Sequence, residues 1–252
     1  MPFFSYQGKV FKANNKYFKT DWKPNRVNGI VFWGDSNSRN INITNNKIYE
    51  WNDSSGNLNN ATQTNDNRKP SYIDDTLNGY PVIYFQNTKS LKIPLTLDYF
   101  TIFTVIKAFD NDIVYEFGDD TETESGFYLN GQINSLGVSN SGLSNIASVK
   151  QNTNGWLSSG GTWKIIAHQY NGTHNTHRMI INNEFVFTTT YLGYNGDPGA
   201  LDMTDNLNLG SKSDGTEGVD AYIAEYIVYN NYLNYDNVSQ ITNYLNTKYQ
   251  IF

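Results

Sequence analysis

A chain of 252 residues with no cysteine and a net charge of −6 is long enough for a substantial core, and it excludes a disulfide framework and cysteine zinc sites. Aromatic residues make up 15% and charged residues 17%, and no segment approaches the roughly 20 apolar residues of a membrane span. The charge is uneven: residues 1–26 carry +5 and the remainder −11, so the acidic body repels phosphates and nucleic acid is not an expected partner.

In chain order, the N-terminal segment has no uninterrupted apolar core of signal-peptide length, so no signal peptide is expected. Residues 9–19, "KVFKANNKYFK", have mirror-like ends around a turn and predict a small hairpin. β-Branched and aromatic runs predict strands over 81–86, 99–108, 112–118, 162–170, 178–182, 184–190 and 221–229. Asn182-Asn183 between two of them predicts a two-residue hairpin turn. Residues 148–161 read as a long polar loop. The 37 asparagines suit many tight connections, because Asn tolerates left-handed backbone. In "LNYDNVSQITNYLNTKY", Val238, Ile241, Leu245 and Tyr249 recur at helical spacing. Asn234 caps that predicted helix, Asp236 falls in its first turn and Lys248 in its last. Strands at this spacing, with no alternating helices, predict an all-β sandwich or barrel.

Candidate chemistry is sparse. The segment 110–124 carries Asp110, Asp112, Glu116, Asp119, Asp120, Glu122 and Glu124. Glycoside hydrolysis needs two carboxylates about 5–9 Å apart, and residues two apart share a strand face. The position two beyond Glu116 is Gly118, which breaks such a pair, so no catalytic residue and no enzyme activity are expected. A second acidic loop, 211–220, groups Asp214, Glu217 and Asp220 around Gly215 and Gly218. Solvated acidic loops are the simpler reading. Calcium, the alternative, would use Asp119, Asp120, Asp214 and Asp220. His168, His174 and His177 fall on and between strands with no third ligand type beside them, against zinc. Glu225 lies in a strand apolar on both faces and is expected to be buried and hydrogen-bonded. Strict alternation puts Ile223, Glu225, Ile227 and Tyr229 on one face.

The order of "YEWNDSSGNLNNATQ", "PSYIDDTLNGYPVIYFQ", "YFTIFTVIK", "YEFG", "WKIIAHQYNGTHNTHRMIINNEFV", "LNLG" and "GVDAYIAEYIVYNNYLNYDNVSQITNYLNTKY" resembles the laminin-G-like, concanavalin A-like jelly-roll domains, in the form found in bacteriophage and large-virus particle proteins. The resemblance covers residues 28–252 and implies a jelly-roll β-sandwich of two antiparallel sheets with one short C-terminal helix. It leaves residues 1–27 as a basic, aromatic N-terminal arm. Within it, Trp51 would anchor the core, and Asp53, Gly56 and Asn57 would belong to the structural turn that leaves it. The alternative for Asp53 and Asn57 is calcium.

The resulting expectation is a non-enzymatic virion surface protein: a capsid decoration, fibre or tail component of a bacteriophage, made in the host cytoplasm. It would adhere to glycans through Trp156, Tyr191 and Tyr194 in rim loops. Residues 1–27 would dock on other virion proteins in a multi-copy or homo-oligomeric assembly. The alternatives are a glycan-active hydrolase of the same fold and a bacterial cell-surface adhesin.

Overall fold

The computed structural model describes residues 4–6, 9–11, 22–37, 41–97, 99–110, 112–117, 126–130, 135–139, 161–171, 176–190 and 206–252. The strands are β1 (Phe4–Tyr6), β2 (Lys9–Phe11), β3 (Ile30–Asp35), β4 (Ile41–Thr44), β5 (Lys47–Trp51) and β6 (Ala61–Thr62). They continue as β7 (Ser71–Leu77), β8 (Tyr80–Phe85), β9 (Leu91–Ile93), β10 (Tyr99–Ala108), β11 (Ile113–Phe117) and β12 (Gly126–Asn130). The last six are β13 (Ser135–Ser139), β14 (Lys164–Asn171), β15 (Thr176–Ile181), β16 (Glu184–Thr190), β17 (Leu207–Leu209) and β18 (Ala221–Tyr229), followed by helix α1 (Tyr235–Tyr249).

The strands after β2 form one antiparallel path that folds back into a jelly-roll β-sandwich. One layer runs β7-β8-β18-β10-β14-β15-β16, with β3 on the far half of β18. The other runs β13-β12-β11-β17-β9-β6-β5, with β4 at its end. Among the described residues, the sheet path crosses between the layers where Lys47 of β5 pairs with Ser71 of β7. Their inner faces meet through aromatic rings. Phe100 stacks on Phe117 at 5.2 Å, and Phe32 meets Trp51 edge-on at 6.0 Å.

A third layer covers the outside of the first sheet. Val238, Ile241, Leu245 and Tyr249 of α1 pack on Phe103, Val105, Ile165, Ile227 and Tyr229. Both faces of β10 and β18 are therefore buried, which is why their sequences are apolar without alternation. The Asn234 side chain caps α1 by accepting from Asn237 N at 2.9 Å, as the sequence pattern predicts.

Three hairpin turns show what the asparagines do. Asn45-Asn46, Asn78-Gly79 and Asn182-Asn183 all have positive φ, the backbone that a two-residue turn between right-twisted strands requires. The Asn182 side chain also accepts from Ile165 N, tying its turn to β14.

Two sequence expectations change. The predicted hairpin over 9–19 has its first strand at β2, but β2 pairs backwards with β1, Phe11 opposite Phe4; residues 12–19 lie outside the described residues. On β18, alternation fails at a bulge. Val105 faces Glu225 but Ile106 faces Ile223, leaving Ala224 unpaired. Ile223 consequently points into the sandwich while Glu225 turns toward the helix.

Candidate functional site

The loop from β18 into α1 forms one wall of an open, polar cleft. Arg26, Asn28, Asn231, Tyr232, Asn234 and Asn237 line it, and its volume is about 430 Å³. Buried polar side chains from the central strands hold this loop. Thr101 Oγ1 donates to Asn231 O at 2.7 Å and accepts from Leu233 N at 3.0 Å. Gln169 Nε2 donates to Thr101 Oγ1 at 3.0 Å and to Leu233 O at 2.8 Å. Thr101 and Gln169 are fully buried, and such groups sit in a core only with their hydrogen bonds made.

Arg178 from β15 lies 5.0 Å from the Tyr232 ring centroid, and its Nη1 donates to Gln169 Oε1. Burial pushes the Tyr232 phenol above its ordinary range, with Arg178 opposing, so the hydroxyl keeps its proton. Gly29, opposite, has φ +89°, and a Cβ there would lie 2.2 Å from Asn231 Nδ2. The cleft thus offers amide, guanidinium and phenol groups on a fixed frame. That chemistry suits a hydroxyl-rich ligand with an apolar face for the tyrosine.

The two acidic segments meet. Asp110 Oδ2 accepts from Asp220 N at 3.0 Å, and Glu116 Oε2 accepts from Ser213 N at 2.7 Å. Asp214 Oδ1 accepts from Thr216 N and its hydroxyl, both at 2.7 Å. Arg68 donates to the carbonyls of Ser213 and Asp214. Burial raises the Asp110 carboxyl above its usual range. Among the described residues, no three acidic or imidazole groups converge as a metal site. Asp119 and Asp120 lie outside the described residues.

The turn after Trp51 seals an open strand edge. Asp53 Oδ1 accepts from Trp33 N at 2.9 Å and Ser55 N at 2.8 Å, while its Oδ2 accepts from the Ser55 hydroxyl and Asn59 N. Asn57 Nδ2 donates to Ile30 O and Asn59 Nδ2 to Val31 O. The edge of β3 is covered by this loop instead of a neighbouring strand. Gly56 sits within it at φ +98°. Trp51 is fully buried in the sandwich core.

Glu225 is fully buried under α1. Its Oε1 accepts from Trp33 Nε1 at 2.7 Å, and its Oε2 from Tyr249 OH at 2.8 Å and Lys248 Nζ at 2.7 Å. Burial pushes its carboxyl up, with Lys248 opposing. His168 and His177 stack in the sandwich core, and burial drives His177 down to about 3.

Trp156, Tyr191, Tyr194 and His174 lie outside the described residues. The cleft itself was not foreseen from sequence. Its only local signal is the pair of polar residues, Thr101 and Gln169, set in otherwise apolar strands.

No family model and no curated protein sequence matches the chain. Solved structures do. An arabinofuranosidase complexed with arabinofuranosyl-alpha-1,2-xylobiose matches at TM-score 0.58 and 13% identity over 81% of this chain and 51% of that one. Domain 4 of AbnA, a GH43 extracellular arabinanase from Geobacillus stearothermophilus, solved with arabinotriose, matches at TM-score 0.57 and 12% identity over 85% and 98%. The binding domain of Paraclostridial Mosquitocidal Protein 1 matches at TM-score 0.56 and 14% identity over 88% and 53%. The chain spans about half the length of the first and third of these. At such identities the likeness establishes the fold alone: a β-sandwich.

Proposed function

We propose that this chain is a non-catalytic, glycan-binding β-sandwich domain whose binding site is the cleft between Asn28 and Tyr232. The observation that carries this reading is the cleft's mostly polar lining: Arg26, four asparagines and one tyrosine beside Val27 and Leu233, on a loop held by Thr101 and Gln169. Several structures of like fold were solved with sugars, which supports the ligand class. The absence of turnover is supported by the state of two carboxylates. Glu116 is buried and accepts from a backbone N–H, and Glu225 is sealed beneath the helix. Neither presents the open pair that glycoside hydrolysis uses.

The setting we propose is the surface of a virus particle, on the strength of the family resemblance. The basic arm would dock on particle proteins in a multi-copy assembly. Trp156, Tyr191 and Tyr194 belong to the proposal as a second contact surface.

The test is a broad glycan array, followed by titration of any sugar that binds against Tyr232→Ala and Trp156→Ala variants. Tyr232→Ala is expected to lower affinity by about tenfold or more, since stacked aromatics carry much of a polar site's binding, with melting temperature little changed. A blank array, or wild-type affinity in Tyr232→Ala, overturns the cleft assignment. Release of reducing ends overturns the non-catalytic reading.

A further inference from the structure

Lys248 does not behave as a helix-end lysine. Its ammonium is turned inward, 2.6 Å from Asp35 Oδ2 and 2.7 Å from Glu225 Oε2. Its side chain is only 13% exposed, against 18% for Asp35 and 0% for Glu225. The two carboxylates face each other across the β3–β18 pair, and the bulge at Ala224 is what brings Glu225 to this side. Aromatic rings wall the site. Lys248 Nζ lies 4.9 Å from the Tyr249 ring centroid and 5.7 Å from that of Tyr80.

Holding an amine and two carboxyl groups in one buried, ring-lined site has a chemical consequence. Charges kept out of water are costly, and conversion to a neutral product removes that cost. Holding the amine against the carboxyl group also replaces a bimolecular encounter by an intramolecular one. Glu225 is fixed by Trp33 and Tyr249, and its Oε2 accepts from the Lys248 ammonium itself, which places this carboxylate to take and pass on the amine's protons. Asp35, the more exposed of the two, has its other oxygen held by Asn37 N at 2.9 Å.

We propose that Lys248 and Asp35 condense to an intramolecular amide, an isopeptide bond, with Glu225 as the catalytic relay. Glu225 takes one proton from the Lys248 ammonium and delivers it to Asp35 Oδ2. The freed lone pair forms the Nζ–Cγ bond. A second nitrogen proton then passes through Glu225 to the same oxygen, the Cγ–Oδ2 bond breaks, and water leaves. One ammonium and one carboxylate give one amide and one water, and Glu225 returns to its starting state. No oxidant or cofactor takes part. The bond ties strand β3 to helix α1 and closes a covalent loop of nearly the whole described sandwich.

The experiment is the intact mass of the full denatured chain, with a tryptic digest. The expected result is a mass lower than the sequence by one water and a branched peptide joining the segments of Asp35 and Lys248. Lys248→Arg keeps the positive charge and should fold with its full sequence mass. Glu225→Gln should retain the sheet signal in circular dichroism and lose most of the linked fraction. A wild-type chain at full sequence mass with no branched peptide overturns the proposal. Wild-type extents of linkage in folded Glu225→Gln overturn the role given to Glu225.

Discussion

Gly34 and Trp51 share a space that only one side chain can fill: a Cβ on Gly34 would lie 2.6 Å from Trp51 Cε2. The indole packs against the bare backbone of β3, and its Nε1 donates to Asp35 O at 3.3 Å. Gly34→Ala should therefore destabilise the fold by about 1–3 kcal/mol, the usual cost of overpacking. Denaturant melts of wild type and variant measure it. Equal midpoints would mean that the indole can move aside freely.

Acid should weaken the protein through its core histidines. Burial lowers His177 from 6.5 to about 3 and drives His168 down as well. Between those values the unfolded chain binds protons that the folded one refuses, so stability falls as pH drops below about 6.5, by about 1.4 kcal/mol per pH unit per histidine. Glu225, raised by burial, works in the opposite direction, since its folded form gains protons first on acidification. Melting temperatures from pH 7.5 to pH 4 should fall, and His177→Gln should flatten the slope. A flat wild-type profile would count against neutral, buried imidazoles.

Calcium should leave the melting temperature where a chelator leaves it. Glu116, Asp110 and Asp214 already accept hydrogen bonds from backbone N–H groups, which fixes their loops without an ion. An ion bound only to the folded state would raise stability with concentration. A clear rise in calcium would mean that Asp119 and Asp120 complete a site with this seam.

Truncation should divide the N-terminal segment in two. Trp22 packs on Tyr244 with centroids 5.7 Å apart, Val27 is buried, and Tyr229 OH donates to Pro24 O at 2.9 Å. Removing residues 1–21 should change the melting temperature little. Removing 1–27 uncovers the helix layer and should cost about 3 kcal/mol or more, from the lost apolar burial alone. Equal melting of the two truncations would refute this division.

The long strands and the helix were legible because their signals are local. β10, β16 and β18 begin and end where their apolar runs do, and α1 follows its cap and its four periodic residues. Asn182-Asn183 announced its turn in the same way. The short strands β4, β6, β9 and β17 carry no run long enough to read, and partners far along the chain define them. The bulge at Ala224 is invisible to alternation, because it arises from how β18 meets β10. Burial of Glu225 could be read from its apolar strand; its partners could not, since Trp33 and Lys248 lie far off in sequence. The cleft was missed for a like reason: Arg26 and Asn28 reach Tyr232 only through the fold.

The strand at the centre of the first sheet, β18, is also its last to be made. It pairs with β10 on one side and with β3 and β8 on the other. Until residues 221–229 leave the ribosome, those three strands hold open edges with no permanent neighbour. Closure of this sheet must then wait for β18 itself, at the slow pace of pairings between distant segments. In that interval the nascent chain is most exposed to strand exchange with other copies, and a cell producing it quickly would rely on chaperones to keep those edges apart.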